Sequence, residues 1–224
     1  MPIKKYFLGK ECIIDRALQN RDNVIATLGQ DVEFVNQVHG NKVVVLDKNV
    51  KLLSQDSLPK ADAIVTNEAH VAIGIITADC SPILLFDEDA GVIAAAHAGW
   101  RGAKLGIIES TVSAMKNLGA HTIEAEIGPM IQQESYEVSQ EFLNDFIAEN
   151  EENKFFFKQG IAPDKYLFDL PTYVETKLRA VGIDSIKNDK IDTYKNEENW
   201  FSFRRATHQK QSDCGRNVSV IVKG

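Results

Sequence analysis

The chain has 224 residues, of which 44% are hydrophobic and 25% charged, so it is long enough to bury a core without disulfide support. A net charge of -7 argues against nucleic acid as the partner, because binding a phosphate backbone needs a basic face, and it favours small-molecule substrates. Three widely spaced cysteines cannot all pair with one another, which fits a reducing compartment, so we expect a cytoplasmic protein. The longest apolar run is far shorter than the roughly 20 residues of a membrane-spanning helix, so we expect no membrane contact.

Short runs rich in β-branched residues predict strands along most of the chain. Hairpin-length spacings between several of these runs exclude an all-parallel sheet, because parallel neighbours need a longer crossover. The predicted strands are residues 32–38, 43–46, 71–78, 83–86, 92–96, 123–127 and 218–222.

Apolar residues at helical spacing predict three helices between these strands. Residues 103–118 carry an apolar stripe that is closed by Gly119, a typical residue for a left-handed cap. Residues 135–149 place their apolar side chains on one face. Residues 171–181 begin with proline and stop before Gly182, as helices commonly do.

The most polar segment, residues 147–154, is interpreted as a surface loop because apolar patterning resumes directly after it. Since no spacer rich in Pro, Gly or Ser separates two halves, we predict a single domain over residues 1–224. The alternation of strands and helices predicts a mixed α/β fold, a layered sandwich of mixed β-sheets flanked by helices.

Two residues with metal-binding side chains flank the hairpin predicted from strands 83–86 and 92–96. If its turn centres on Asp89, Cys80 and His97 become near cross-strand neighbours. Directly opposed residues have β-carbons roughly 4.5–5.5 Å apart, close enough for a thiolate and an imidazole to bind one ion. The hairpin therefore gives these two residues a physical reason to meet.

His39 is a third candidate, since it also ends an apolar run beside a glycine. Each residue alone has a structural explanation: a buried free cysteine at position 80, a hydrogen-bonded histidine at position 97 and a polar turn at position 39. The pairing of Cys80 with His97 also requires the hairpin to continue past Pro82, which cannot donate a ladder hydrogen bond.

Several motifs together resemble the multicopper polyphenol oxidoreductase (laccase-like) family, which is also described as purine nucleoside phosphorylases and as peptidoglycan editing factors. The motifs occur in the family's order from about residue 36 to the C-terminus. They are NQVHG at residues 36–40, ADAIVTN at 61–67, TADC at 77–80, HAGWRG at 97–102, IGP at 127–129, SYEV at 135–138, DLP at 169–171, FSFRR at 201–205 and GR at 215–216.

The resemblance implies that His39, Cys80 and His97 are zinc ligands in a layered α/β sandwich. Three protein ligands leave the fourth position of zinc for water or substrate, the arrangement of a catalytic site. Family members usually carry Thr-Arg followed by glycines near the N-terminus. Residues 1–29 show nothing comparable, so no substrate contact is carried over to this divergent region of about 30 residues.

Two further residues are predicted to be catalytic. Asp79 is next to the ligand cysteine, where its carboxylate could transfer protons or accept the proton of a ligand imidazole, or could only cap a turn. Arg101 precedes the helix predicted at 103–118, where it could bind phosphate together with backbone amides, or could only pack on Trp100.

Substrate binding is assigned to Asn36 and Gln37 beside His39, to Arg101, and to Arg204. The segment 200–205 could offer aromatic faces to a purine and cationic donors to an anion. Its alternation at a period of two favours a half-buried strand.

The leading functional hypothesis, which follows from the resemblance, is a zinc-dependent purine nucleoside phosphorylase. Its expected substrates are phosphate and adenosine, inosine or S-methyl-5'-thioadenosine, with adenosine deaminase activity beside the phosphorolysis. The first alternative is a zinc amidase that edits peptidoglycan precursors. The second is a copper-dependent polyphenol oxidase, because two histidines and a cysteine also suit copper, although five histidines are too few for a full laccase. We expect a monomer or a small homo-oligomer.

Overall fold

A computed structural model describes residues 2–15, 18, 20–47 and 58–224. The described residues form mixed sheets and helices, as the sequence predicts. The strands are β1 (Ile3–Leu8), β2 (Val32–Glu33), β3 (Val43–Leu46), β4 (Ala63–Thr66), β5 (Ala72–Thr77), β6 (Ser81–Asp87), β7 (Val92–Ala98), β8 (Glu124–Ile127), β9 (Glu137–Ser139), β10 (Phe157–Gln159), β11 (Lys165–Phe168), β12 (Ile186–Asn188) and β13 (Asn217–Lys223). The helices are α1 (Arg21–Leu28), α2 (Trp100–Leu105), α3 (Ile107–Asn117), α4 (Gln140–Glu149), α5 (Leu170–Ala180) and α6 (Phe203–His208), with 3-10 turns at Gln133–Ser135 and Glu151–Phe156.

Two large sheets face each other. One has the strand order β1-β13-β5-β2 and the other β12-β8-β6-β7-β4-β3, and a smaller sheet, β10-β11-β9, stands beside them. Both large sheets are mixed: β2 runs parallel to β5 and β3 parallel to β4, whereas β13–β5 and β6–β7 are antiparallel. The prediction of a layered sandwich of mixed sheets is confirmed.

The layer between the two large sheets is built by alternate residues of their central strands. Ile73 and Ile75 of β5 pack there with Leu84 of β6 and with Ile93 and Ala95 of β7. Because side chains alternate across a strand, the intervening residues of β6 and β7 point to the opposite face. That face packs against α3 and α5 and forms a second hydrophobic core. The outer face of the four-stranded sheet packs against α1 and forms a third hydrophobic core.

Two predicted helices are interrupted in the structure. The helix predicted at 103–118 is two helices, α2 and α3, because Gly106 adopts a left-handed conformation with φ of 93° between them. The helix predicted at 135–149 begins only at Gln140, where the Ser139 hydroxyl caps the first turn. Residues 137–139 pair instead with β11 as a strand. The helix predicted at 171–181 is confirmed by α5.

Three other predictions of local structure are wrong in whole or in part. Residues 147–154 are predicted to form a surface loop. In the structure, residues 151–156 form a 3-10 helix that is capped by Asn150. Residues 200–205, predicted as a strand, lead into helix α6, because the Ser202 hydroxyl accepts the Arg205 N–H at 3.1 Å and caps it. The strand predicted at 32–38 contains only two residues in ladder pairing, and the segment then turns toward the site.

The described residues contain no helix that is both long and apolar enough to cross a membrane. The prediction of a single domain over residues 1–224 stays a prediction.

Candidate metal centre and cavity

The side chains of His39, Cys80 and His97 converge at one end of the layer between the two large sheets. Their ligand atoms all lie within 4.8 Å of one another. The Cys80 Sγ is 3.8 Å from the His39 Nε2, and the centroids of the two imidazole rings are 4.7 Å apart. This separation is close enough for all three side chains to ligate one ion, so the cluster could bind a metal.

The hairpin of β6 and β7 positions two of the three residues, and its ladder continues past Pro82, as the prediction requires. His97 lies opposite Pro82, and Cys80 precedes the first residue of β6. Cys80 is thus offset by two residues from the position directly opposite His97, and the prediction that the two are near cross-strand neighbours is confirmed. Residues 78–80 form a bend directly before β6, and the Cys80 side chain lies beside His97.

Asp62 holds the cluster in place and was not among the predicted site residues. This fully buried carboxylate accepts the backbone N–H of His39 at 2.8 Å and of Gly40 at 2.7 Å. Its Oδ1 is also 2.9 Å from the His97 Nδ1, which leaves the His97 Nε2 as the ring nitrogen available to an ion. One side chain thus orients both histidines.

The turn that carries His39 depends on Asp62. The His39 backbone has a φ of 58°, in the left-handed region that few residues other than glycine adopt. The two hydrogen bonds from residues 39 and 40 to one carboxylate compensate for this conformation. A signal in the sequence could have identified Asp62, since a lone carboxylate directly precedes the apolar run 63–65.

The cluster favours a charged cysteine. Burial alone would raise the pKa of the Cys80 thiol, but the charge of His97 and hydrogen bonds from both histidines lower this pKa from 9.0 to about 6. Burial likewise opposes the charged form of His97, yet the charges of Cys80 and Asp62 raise the His97 pKa from 6.5 to about 9. The metal-free cluster therefore carries a thiolate at neutral pH, and the thiolate is the form of cysteine that ligates metals.

Gly99 leaves space for the cluster. A β-carbon at this position would lie 2.8 Å from the Cys80 Sγ and 3.2 Å from the His39 Cδ2. Since the Gly99 backbone is extended, with a φ of −68°, the requirement for glycine here is one of space. The HAGWRG motif thus supplies one ligand at its first residue and room for the other two at its third.

The cluster opens onto a cavity of about 500 Å³, a volume typical of small-molecule sites. Apolar and aromatic side chains supply much of its wall, together with two arginines. The lining residues are Leu18, Val35, Asn36, Gln37, His39, Leu58, Ile76, Thr77, Ala78, Asp79, Cys80, His97, Trp100, Ile131, Tyr136, Leu170, Phe203, Arg204 and Arg216.

Asp79 lines this cavity but does not orient a histidine. Its Oδ2 accepts the backbone N–H of Arg204 at 2.6 Å, and its Oδ1 accepts the hydroxyl of Thr193 at 2.7 Å. The predicted role of accepting a ligand imidazole proton belongs to Asp62 instead. The observed hydrogen bonds match the alternative prediction that Asp79 acts as a cap, because its carboxylate caps the first turn of α6.

Arg101 is exposed and lies outside the cavity. It lines a separate surface groove with Lys104 and Glu149, because it projects from the side of α2 that faces α4. The arginines among the described lining residues are Arg204, which was predicted, and Arg216, which was not. Arg216 is 8% exposed, and its guanidinium is held by the carboxylate of Asp213 at 2.8 Å. The structure therefore places Arg101 away from the cavity, and its role in anion binding stays a prediction.

Asn36 and Gln37 both line the cavity, but they differ in availability. The Gln37 side chain donates to the Ile76 carbonyl at 2.7 Å and accepts the Ile76 N–H at 2.8 Å, so its amide group holds the segment 36–40 against the end of β5. Asn36 is exposed and is anchored through its backbone to Pro59 and Ala61. Its side chain is therefore better placed than that of Gln37 to contact a ligand.

Known proteins resemble this chain over most of its length. The family model described as multi-copper polyphenol oxidoreductase laccase matches residues 14–223. A protein of Rickettsia conorii named purine nucleoside phosphorylase is 39% identical over 193 residues, covering 86% of this chain and 78% of that protein. A protein of Escherichia coli K12 with the same name is 33% identical over 211 residues, covering 92% and 81%.

Solved structures share the fold. A Neisseria meningitidis protein superimposes with a TM-score of 0.78 at 31% identity and covers 92% of this chain and 81% of its own. The YlmD protein of Geobacillus stearothermophilus superimposes with a TM-score of 0.81 at 27% identity and covers 97% and 84%. These likenesses agree with the mixed, layered architecture described above.

Proposed function

The chain belongs to the multi-copper polyphenol oxidoreductase laccase family, and from this membership and its site we propose that it is a zinc-dependent purine nucleoside phosphorylase. The proposal rests on one observation: a cluster of two histidines and one cysteine opens onto a cavity that is also lined by two arginines and aromatic rings. The relatives named purine nucleoside phosphorylase support the same reaction.

The donor set fits a zinc ion. His39, Cys80 and His97 would hold it, since imidazole nitrogen and thiolate sulfur are ordinary zinc ligands and the thiol pKa of about 6 favours the ligating form. When bound, zinc supplies Lewis-acid chemistry toward a group that enters from the cavity. The fixed orientation of His97 by Asp62 is the kind of support that raises metal affinity.

The remaining lining residues suit the two substrates. Phosphate is a dianion, and Arg204 and Arg216 bring guanidinium groups to the same cavity, where such groups bind phosphate oxygens in pairs. The rings of Tyr136 and Phe203 offer faces on which a purine can stack. Burial raises the pKa of Tyr136, so its hydroxyl stays protonated at physiological pH and remains a hydrogen-bond donor.

We assign adenosine, inosine and S-methyl-5'-thioadenosine as substrates and adenosine deamination as a further activity of the same site. Deamination needs water in place of phosphate as the attacking group, and a zinc site open to a cavity can serve both. We place the protein in the cytoplasm, where its three free cysteines stay reduced, and expect a monomer or a small homo-oligomer.

Copper oxidation is the second candidate, and the description of the family model favours it. Two histidines and a cysteine also suit copper. However, the His39–Cys80–His97 cluster is the one group of metal-binding side chains found in the described parts of the chain, and a laccase needs further copper sites. Stoichiometric copper after metal-free purification, with an intense thiolate-to-copper absorption, would favour this candidate over ours.

Product analysis with and without phosphate tests the proposal. The purified zinc-loaded protein should convert inosine to hypoxanthine and ribose 1-phosphate only when phosphate is present. Release of ribose without phosphate would indicate a hydrolase. Absence of hypoxanthine, together with release of an amino acid from a peptidoglycan precursor, would replace the phosphorylase by the amidase.

A further inference from the structure

The Thr77 hydroxyl is a buried polar group that lines the cavity and has no hydrogen-bond partner in the described parts of the chain. Thr77 is the last residue of β5 and is 2% exposed, and its Oγ1 has no hydrogen-bond partner among the described residues. Proteins rarely leave a buried hydroxyl unbonded, because removing it from water without a partner costs stability. Since Thr77 also lines the cavity, a bound ligand can supply the missing partner.

Thr77 faces the metal cluster from the opposite sheet. Ile73 and Ile75 of β5 pack in the layer between the sheets, and alternation along the strand directs Thr77 to the same side. Ile93 and Ala95 of β7 pack in that layer too, and alternation directs His97 toward it as well. Both side chains line the cavity, so a ligand that fills it can contact the cluster and the Thr77 hydroxyl together.

The other parts of a nucleoside and phosphate are matched by other lining residues. The phosphate dianion is matched by the guanidinium groups of Arg204 and Arg216, and the flat purine by the rings of Tyr136 and Phe203. The sugar is the neutral part that lies between the two. A threonine hydroxyl both donates and accepts, which suits a sugar hydroxyl that does the same.

We propose that the Thr77 hydroxyl binds the 2′- or 3′-hydroxyl of the nucleoside ribose and makes the enzyme selective for ribonucleosides. The inference rests on the proposed phosphorylase function. The 5′ position is excluded because S-methyl-5'-thioadenosine, a proposed substrate, carries no hydroxyl there. Thr77 is thus a specificity-determining residue at the junction of TADC with the end of β5.

Thr77→Val tests this role because valine keeps the shape and removes the hydroxyl. With the zinc-loaded protein, kcat/KM for inosine should fall about 10-fold, the loss expected for one neutral hydrogen bond. One of the two analogues, 2′-deoxyinosine or 3′-deoxyinosine, lacks the hydroxyl that Thr77 binds. For that analogue, kcat/KM should be the same in the wild type and in Thr77→Val. Thr77→Ser should keep most of the wild-type preference.

Melting temperature provides a second readout. Removing an unbonded buried hydroxyl should raise the melting temperature of the ligand-free Thr77→Val protein by about 2–4 °C. Ser81→Ala is the matched control, because the Ser81 hydroxyl is also buried without a partner among the described residues but does not line the cavity. This control should melt higher as well, while its kcat/KM for inosine stays at the wild-type value.

The outcomes separate this inference from the phosphorylase proposal. Wild-type protein that gives no phosphate-dependent hypoxanthine overturns the phosphorylase and the Thr77 role with it. Active wild-type protein that turns over inosine and both deoxyinosines equally overturns the Thr77 role alone, whether or not the variant folds. Equal loss of kcat/KM on all three substrates, or a lower melting temperature for Thr77→Val, also overturns it.

Discussion

Asp62 is the residue on which the geometry of the metal cluster depends. One carboxylate accepts the backbone N–H groups of Val38, His39 and Gly40 in the His39 turn and bonds the ring of His97. Burial opposes its ionisation, but the hydrogen bonds from His97 and from the backbone of Gly40 lower its pKa. It therefore stays charged at neutral pH and orients two of the three ligands.

Asp62→Asn should weaken zinc binding about 10–100-fold, because the amide is neutral and orients the His97 ring less strongly. Competition with a zinc chelator measures this affinity. The matched control is Asp87→Asn: Asp87 is also a buried carboxylate that accepts backbone N–H groups, from Ala90, His121 and Thr122, but it lies at the hairpin turn. An equal loss of affinity in both variants would contradict the role of Asp62.

The pKa of Cys80 gives a prediction for the metal-free protein. Because this pKa is lowered from 9.0 to about 6, the reactive thiolate should be present above about pH 6 and disappear as the pH falls through that value. Alkylation of Cys80, followed by peptide mass spectrometry across pH, measures the midpoint. In His97→Gln the neighbouring cation is absent, so the midpoint should move up toward 9. A wild-type midpoint near 9 would contradict the description of the cluster.

At the scale of elements, the sequence motifs identified the metal-binding residues more accurately than hydrophobic periodicity identified the helices and strands around them. The short runs at 43–46 and 92–96 predicted β3 and β7: strand propensity and burial agree along β7, whereas in the half-exposed β3 strand propensity alone was sufficient. The alternation at 200–205 predicted a strand where a helix begins. Asp79, which is 125 residues away from Arg204 in sequence, bonds the first turn of that helix, and no local pattern contains such a contact.

Contacts between residues that are distant in sequence also explain why Arg216 was missed while Arg204 was predicted. Arg101 was placed by its neighbours in the HAGWRG motif, whereas Arg216 reaches the cavity only because β13 pairs with β5. The hairpin of β6 and β7 was predictable because its strands are adjacent in sequence, but the pairing of β13 with β5 was not. The three metal-binding residues could be predicted from the sequence, because the hairpin indicated Cys80 and His97 and the family resemblance added His39.

Asp79→Ala should destabilise the region around α6. The carboxylate bonds the Arg204 N–H and the Thr193 hydroxyl, so its removal should lower the free energy of unfolding by about 1–3 kcal/mol, as measured by urea denaturation. Asp145→Ala is the control, because its ion pair with Lys104 lies at the surface and should contribute about 0–1 kcal/mol. An inactive Asp79→Ala protein of unchanged stability would instead support a catalytic role.

At the scale of the whole molecule, the metal cluster lies outside the three hydrophobic cores, which are built from other residues. The layer between the sheets, the helix-covered face and the outer face with α1 each bury their own apolar side chains. A structural zinc site commonly provides much of the folding energy of a small domain, whereas a chain of 224 residues has enough apolar burial without one. Removing the metal should therefore leave the protein folded and inactive.

Adding zinc back to the chelated protein, with phosphate-dependent hypoxanthine formation from inosine as the measurement, tests whether the His39–Cys80–His97 cluster is the metal centre of a phosphorylase. We expect a folded protein with little activity after chelation, and recovery that saturates near one zinc per chain. Cys80→Ala should stay folded and fail to recover. Activity that survives chelation, or that returns equally in Cys80→Ala, would contradict the assignment of His39, Cys80 and His97 as the metal centre of a phosphorylase.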